Sequence, residues 1–202
     1  DLILANDPDA DRLAVAIPDG DSYRMLTGDQ VGALLADYLL ANTSGDDRLV
    51  ITTLVSSSLL SKMAAAHGVH FAETFTGFKW IGRTILDRPD ETFVLGYEQA
   101  LGYLVAPRPL DKDGVSAAVL LAEVAAAAAA DGTTLQAQLD EIAERYGRHA
   151  IAEKSVQMDP AAAAAAVGAL QGSPPAELGG AAVEDVVSFP EANLLRFELA
   201  GG

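Results

Sequence analysis

Apolar and polar positions alternate along the first half of the chain in two periods, and their succession defines the elements. Residues 2–5 and 12–17 read as strands, and Asp19-Gly20-Asp21-Ser22 supplies a turn before a third short strand at 23–26. Thr27-Gly28-Asp29-Gln30 has the spacing of a capping box, with Thr27 as N-cap and Gln30 reaching back. The helix that follows runs to about residue 42 and puts Val31, Leu34, Leu35, Tyr38 and Leu39 on one face. A β-branched run at 49–55 predicts a buried strand. Ser56-Ser57-Ser58 can cap a helix that ends near His67, with Gly68 as its C′ residue. A strand at 69–71, a helix at 78–86, a strand at 93–96 and a long helix at 113–130 follow, and Thr133-x-x-Gln136 caps a further helix to about 146. Repeated strand–helix–strand units predict an α/β fold with a mixed or mostly parallel sheet covered by helices.

The tail has a different texture. Residues 151–158 read as a strand, and Pro160 starts an Ala-rich helix. Gly172-Ser173-Pro174-Pro175 and Gly179-Gly180 mark a loop, and a final strand lies at 194–199. The change of composition predicts a boundary near residue 150. The Ala runs at 125–130 and 161–166 are helix filler without chemistry. Both ends look like strands already under way, so the expectation is a piece of a longer protein.

Charge narrows the partners. Thirteen Lys and Arg stand against 29 Asp and Glu, a formal net charge of −16. A nucleic-acid partner would need a basic stripe and a membrane-surface helix a basic face, and neither is present in the sequence. Apolar stretches break within about 15 residues, short of the roughly 20 that a spanning helix needs. Cysteine is absent, which excludes disulfides, thiol nucleophiles and thiolate metal sites and fits a cytoplasmic setting.

The sharpest local feature is Asn6-Asp7-Pro8-Asp9-Ala10-Asp11-Arg12, three alternating carboxylates between two strands. Such a loop can turn all three toward one point, where a hard cation takes oxygen ligands; Mg²⁺ prefers about six of them and draws some from water or phosphate. A calcium loop of the EF-hand kind is excluded, because its sixth and twelfth positions would be Arg12 and Pro18. The plain alternative is a solvated acidic turn. Against it, three carboxylates this close repel one another unless a cation lies between them. Arg12, next in sequence, can hold a phosphate that the metal also touches, which points to phosphoryl transfer.

This loop resembles the metal-binding loop of the α-D-phosphohexomutases, the phosphoglucomutase/phosphomannomutase superfamily. Thr76-Gly77-Phe78-Lys79-Trp80-Ile81, Gly96-Tyr97-Glu98-Gln99-Ala100-Leu101-Gly102-Tyr103 and Asp111-Lys112-Asp113-Gly114 resemble, in the same order, further segments of that superfamily's sugar-binding region. The resemblance covers residues 1 to about 120. It implies a four-domain enzyme with a phosphoserine in the first domain, a metal loop in the second, a sugar loop in the third and a phosphate loop in the fourth. Residues 1–25 would then end the second domain, residues 26–150 form the third, and 151–202 form a connector and the start of the fourth.

By the same resemblance Asp7, Asp9 and Asp11 hold Mg²⁺, and Arg12 stabilises the transferring phosphoryl group. Glu98, Lys79, Gly77 and Tyr103 contact the substrate, a phosphorylated hexose such as glucose or mannose phosphate, or its 1,6-bisphosphate. Lys79 can equally be a surface residue with a buried stem, and Trp80 reads as a core anchor. Arg12, Lys79 and Lys112 would draw an anionic sugar into an acidic molecule. His67, His70 and His149 read as structural. No Thr-x-Ser-His-Asn-Pro string and no Arg-x-Ser-Gly-Thr string occur, so the implied phosphoserine and phosphate loop lie outside this chain and the 202 residues alone are expected to be inactive. Ala100 stands where many relatives carry Ser, a departure that resembles a subgroup some of whose members accept pentose phosphates. The remaining alternatives are a non-catalytic fragment that binds Mg²⁺ and sugar phosphate, and a Mg²⁺-dependent phosphatase of the Asp-x-Asp-x-Thr type, which the Asp11-Arg12 pair argues against.

Overall fold

The computed structural model of the chain describes residues 2–201. The chain divides between Ile151 and Ala152 into two compact units. The first opens with a three-stranded antiparallel sheet of β1 (Ile3–Asn6), β2 (Leu13–Asp19) and β3 (Ser22–Met25). Leu13, Val15 and Ile17 of β2 alternate inward and are buried, as the period of two predicts.

Helix α1 (Gly28–Asn42) begins where the capping box placed it. The Thr27 hydroxyl accepts from Gln30 N–H at 3.2 Å and the Gln30 amide accepts from Thr27 N–H at 3.0 Å. Then β4 (Arg48–Thr53), α2 (Leu59–His67), β5 (His70–Thr74), α3 (Phe78–Asp87), β6 (Thr92–Glu98) and β7 (Gly102–Leu104) follow. The sheet order is β5-β4-β6-β7; β4 runs parallel to both β5 and β6, and β7 returns antiparallel to β6. All six residues of β4 are buried, as a central parallel strand requires. Helices α4 (Gly114–Ala130) and α5 (Leu135–Tyr146) complete this unit, whose sheet is thus mostly parallel and covered by helices.

One buried cation holds two helix ends. Arg48 donates to the carbonyls of Leu40 and Thr43 at 3.0 and 2.9 Å and to that of His67 at 3.3 Å. It thereby serves the C-termini of α1 and α2, where backbone carbonyls lack partners and positive charge is favoured. Gly68, at φ 62°, closes α2 in the left-handed conformation.

Several expectations are corrected. The cap of α5 is Thr134, whose hydroxyl accepts from Ala137 N–H; Thr133 lies one residue too early, and Gln136 turns to Asp140. The expected Ser56–Ser58 run does start α2: Ser58 is its N-cap residue, without a side-chain cap bond, and the Ser57 hydroxyl accepts from Leu59 N–H at 3.2 Å. Residues 151–158 are exposed and without regular structure, because no neighbouring strand pairs with their apolar pattern. The second unit holds α6 (Pro160–Gly172), capped by Asp159, and an antiparallel sheet ordered β10-β9-β8. Its strands are β8 (Glu177–Leu178), β9 (Ala181–Phe189) and β10 (Leu194–Leu199), of which only the last was legible as a strand. No single helix among the described residues is long and apolar enough to cross a membrane.

Candidate active site

The acidic loop joins β1 to β2 and is built to hold its carboxylates together. Ala10 takes φ 58°, and its N–H donates to the Asp7 carbonyl at 3.0 Å, forming a tight turn. The Asn6 side-chain amide donates to the Arg12 carbonyl at 2.7 Å and closes the loop at its base. One carboxylate oxygen from each of Asp7, Asp9 and Asp11 lies within 4.8 Å of the others. Asp7 is engaged at both oxygens: Oδ1 accepts from Arg12 N–H at 3.1 Å and Oδ2 from Arg12 Nε at 2.7 Å. Burial pushes the Asp7 carboxyl up, but the hydrogen bonds and charge of Arg12 outweigh it and leave it below the usual carboxylate value. The same pairing raises Arg12, whose side chain stays half exposed.

Asp11 differs. Its Oδ2 pairs with Lys112 Nζ at 2.5 Å, while its Oδ1 is buried and has no hydrogen-bond partner among the described residues, its nearest cation being Arg12 Nε at 3.7 Å. A buried, unsatisfied carboxylate oxygen beside two further carboxylates is costly as it stands. A hard divalent cation is the partner that this all-oxygen donor set fits.

The segments that resemble a sugar-binding region converge on the carboxyl ends of the parallel strands, where ligands of open α/β sheets bind. Glu98 ends β6, is buried, and accepts at Oε1 from Gly77 N–H at 2.6 Å. Gly77 precedes α3 with φ 114°, a conformation that glycine tolerates. Glu98 therefore sits against a helix N-terminus, where negative charge is favoured. Behind it, Gln99 N–H donates to the Ser56 hydroxyl at 3.2 Å, which ties the sugar loop to the end of β4.

The two loops are stitched to each other. Leu13 N–H donates to the Leu101 carbonyl at 3.0 Å, and Arg12 bridges to Gly102. Asp113 N–H donates to the Tyr103 carbonyl, and Gly114 N–H to the Ala10 carbonyl at 3.1 Å. A methyl group on Gly114 would stand 2.4 Å from the Arg12 carbonyl and from the Asn6 amide, so only glycine lets α4 seat on the acidic loop.

Not every expected residue takes part. Tyr103 is fully buried, donates weakly to the Gly28 carbonyl at 3.4 Å and is pushed far up in pKa by burial. It is a core residue and cannot meet a sugar. Trp80, expected in the core, is 39% exposed and packs edge-on against Phe75. Lys79, expected to contact the substrate or to lie on the surface, is exposed, its ammonium 5.4 Å from the Trp80 ring. The three histidines make local contacts: His67 to Tyr146, His70 to Glu91 and His149 to the Gly147 carbonyl. Lys112 and Asn6 are placed at the site beyond the residues singled out as ligands. Both belong to motifs singled out in the sequence.

Residues 27–146 match the family model described as phosphoglucomutase/phosphomannomutase, alpha/beta/alpha domain III. The chain belongs to the phosphoglucomutase/phosphomannomutase family. It is 42% identical over 159 residues to phosphopentomutase of Mus musculus, covering 73% of this chain and 26% of that one. It is 35% identical over 209 residues to the "probable phosphomannomutase" of Haemophilus influenzae, covering 100% of this chain and 42% of that one. Among solved structures, the phosphoglucomutase pp63/parafusin of Paramecium in its open form superposes with a TM-score of 0.69 at 20% identity, over 96% of this chain and 34% of that one. The chain thus spans between a quarter and under half the length of these relatives.

Proposed function

We propose that this chain supplies the metal loop and the sugar-recognition wall of a phosphosugar mutase, which interconverts a sugar 1-phosphate and the same sugar phosphorylated at its terminal hydroxyl. The observation that carries this reading is the joining of two loops: the Asp7, Asp9 and Asp11 cluster with Arg12, bonded through Leu13 and Arg12 to the loop that bears Glu98. Asp7, Asp9 and Asp11 would hold Mg²⁺, which supplies charge neutralisation at a transferring phosphoryl group. Arg12, anchored by Nε on Asp7, keeps the rest of its guanidinium on a half-exposed side chain. It can meet phosphate oxygens and spread their charge.

Glu98 is the sugar acceptor. A carboxylate accepts from two neighbouring hydroxyls at once, and its position is fixed by Gly77 N–H. Such a group binds a sugar in either of two orientations, which a relay through a sugar bisphosphate demands. A phosphoserine outside this chain would donate its phosphoryl group to the free sugar hydroxyl. The bisphosphate would then turn over and return its other phosphate to the serine, with orientation providing much of the rate.

Two substrate classes divide the reading. A hexose phosphate follows from the wider superfamily. A pentose phosphate is favoured by Ala100, which removes a hydroxyl from the sugar loop, and by the resemblance to phosphopentomutase. The test is the full-length enzyme assayed on glucose 1-phosphate and ribose 1-phosphate, with Asp9→Asn beside it. Turnover of either sugar, lost in Asp9→Asn, supports the mutase. Sugar-phosphate binding without turnover would instead mark a non-catalytic binder, and the ratio of kcat/KM values assigns the sugar.

A further inference from the structure

Asp11 is held in one orientation by a residue from a distant part of the chain. Lys112 Nζ lies 2.5 Å from Asp11 Oδ2 and 3.6 Å from Asp111 Oδ1. Its stem runs against Gly102, where an added methyl would stand 3.1 Å from Lys112 Cδ. The two residues that follow it are pinned, by Asp113 N–H on the Tyr103 carbonyl and by Gly114 N–H on the Ala10 carbonyl. The Asp11 oxygen that Lys112 does not take is the buried Oδ1, which accepts no hydrogen bond and has Arg12 Nε 3.7 Å away.

A carboxylate rotates easily about its last torsion, whose wells are broad. With Oδ2 fixed on an ammonium, Oδ1 is committed to the other side of the group. Metal-binding carboxylates are commonly oriented in this way through the oxygen that does not ligate. We propose that Lys112 is a positioning residue of the acidic loop: by fixing Asp11 Oδ2 it presents Oδ1 to the cation site, and through its stem on Gly102 it couples that site to the sugar loop. The inference rests on the acidic loop being a metal site.

Simple electrostatics gives the opposite sign. An ammonium beside a divalent cation repels it, so if Lys112 were only a nearby charge its removal would tighten metal binding. The experiment is a titration of the 202-residue chain with Mn²⁺, read from the electron paramagnetic resonance signal of the free ion. Wild type is set beside Lys112→Met, Lys112→Gln, Lys112→Arg and Asp11→Asn, and each variant is melted to check folding. Positioning predicts about tenfold weaker Mn²⁺ binding in Lys112→Met. Lys112→Gln, which keeps a donor, should fall between, and Lys112→Arg should recover most of the affinity. Equal or tighter binding in folded Lys112→Met or Lys112→Gln overturns the proposal while leaving the metal site standing. If wild type and Asp11→Asn alike bind no Mn²⁺, the metal reading fails and this inference falls with it.

Discussion

The close approach of α1 to the sugar loop makes a single methyl group a sensitive probe. Gly28, the first residue of α1, faces the backbone of Gln99, and a Cβ built there would stand 2.0 Å from the Gln99 carbonyl oxygen and 2.6 Å from its carbon. Ordinary contact begins at 3.4 Å, so Gly28→Ala forces a separation of about 1.4 Å. No flexible side chain can absorb it, because each atom met is main chain. Either Gln99 retreats and takes Glu98 with it, or α1 tilts. A tilt strains the hydrogen bonds that Asp29 accepts from Ser57 N–H and Tyr97 O–H at 2.8 and 3.0 Å. Overpacking of this kind typically costs about 1–3 kcal/mol. The better helix propensity of Ala returns under about 1 kcal/mol. A net loss of about 2 kcal/mol is expected, which lowers a urea midpoint by about 1 M at the usual denaturant slope. Trp80 is the single tryptophan and lies in the first unit, so its fluorescence reports the transition of that unit. A midpoint unchanged within about 0.2 M would refute the argument that this backbone contact is rigid.

Three further outcomes follow from other contacts. Gly168 in α6 has open space around its missing Cβ, so Gly168→Ala should stabilise α6 by up to about 1 kcal/mol, read as a later thermal loss of helical circular dichroism. Glu98→Gln keeps an acceptor for Gly77 N–H but loses the charge that a diol prefers. In the full-length enzyme it should cut kcat/KM by about 10²-fold with little change in melting temperature, and a fall under about threefold would remove Glu98 from the sugar site. Burial raises the Asp29 carboxyl above its ordinary 3.8, against the opposing hydrogen bonds from Ser57 and Tyr97. The folded state thus binds its proton more tightly than the unfolded chain, so the cost of ionising Asp29 is present above the folded value and disappears as pH falls through it. Asp29→Asn should therefore melt no lower than wild type at neutral pH, and its advantage should shrink toward pH 3.8; an advantage that grows on acidification would reverse the assigned sign.

What the sequence disclosed depended on how local each signal was. The α1 capping box, the Gly68 terminus and the period-two burial of β2 are written within a few residues of themselves, and each matches the structure. Thr133 and Thr134 are adjacent and chemically equivalent, so spacing to Gln136 chose the wrong one; only the path of the chain into α5 selects Thr134. Residues 151–158 carry a strand-like pattern without a partner, whereas β9 pairs on both sides in a stretch interrupted by Glu184 and Asp185. Strand formation is a property of pairs, and a single sequence shows one member at a time. Tyr103 failed for a related reason. Its position at the end of a recognised loop was correct, but alternation on β7 decides which side chain faces the core, and that strand was not foreseen.

The site itself shows why the acidic loop alone was ambiguous. Carboxylates at alternate positions describe a solvated turn as well as a metal loop, and within residues 6–12 only their mutual repulsion and the neighbouring Arg12 lean toward the second. Further support for the metal reading comes from residues about 90–100 positions later. Leu101 and Gly102 pair with the chain just after the loop, Gly114 seats a helix against it, and Lys112 takes one oxygen of Asp11. A solvated turn needs none of these attachments. Repulsion among Asp7, Asp9 and Asp11 is tolerated because Arg12 and Lys112 each hold one carboxylate by hydrogen bonds to particular oxygens. That selective neutralisation leaves Asp11 Oδ1 without a hydrogen bond, and on the proposed reading this is the oxygen that a cation would take.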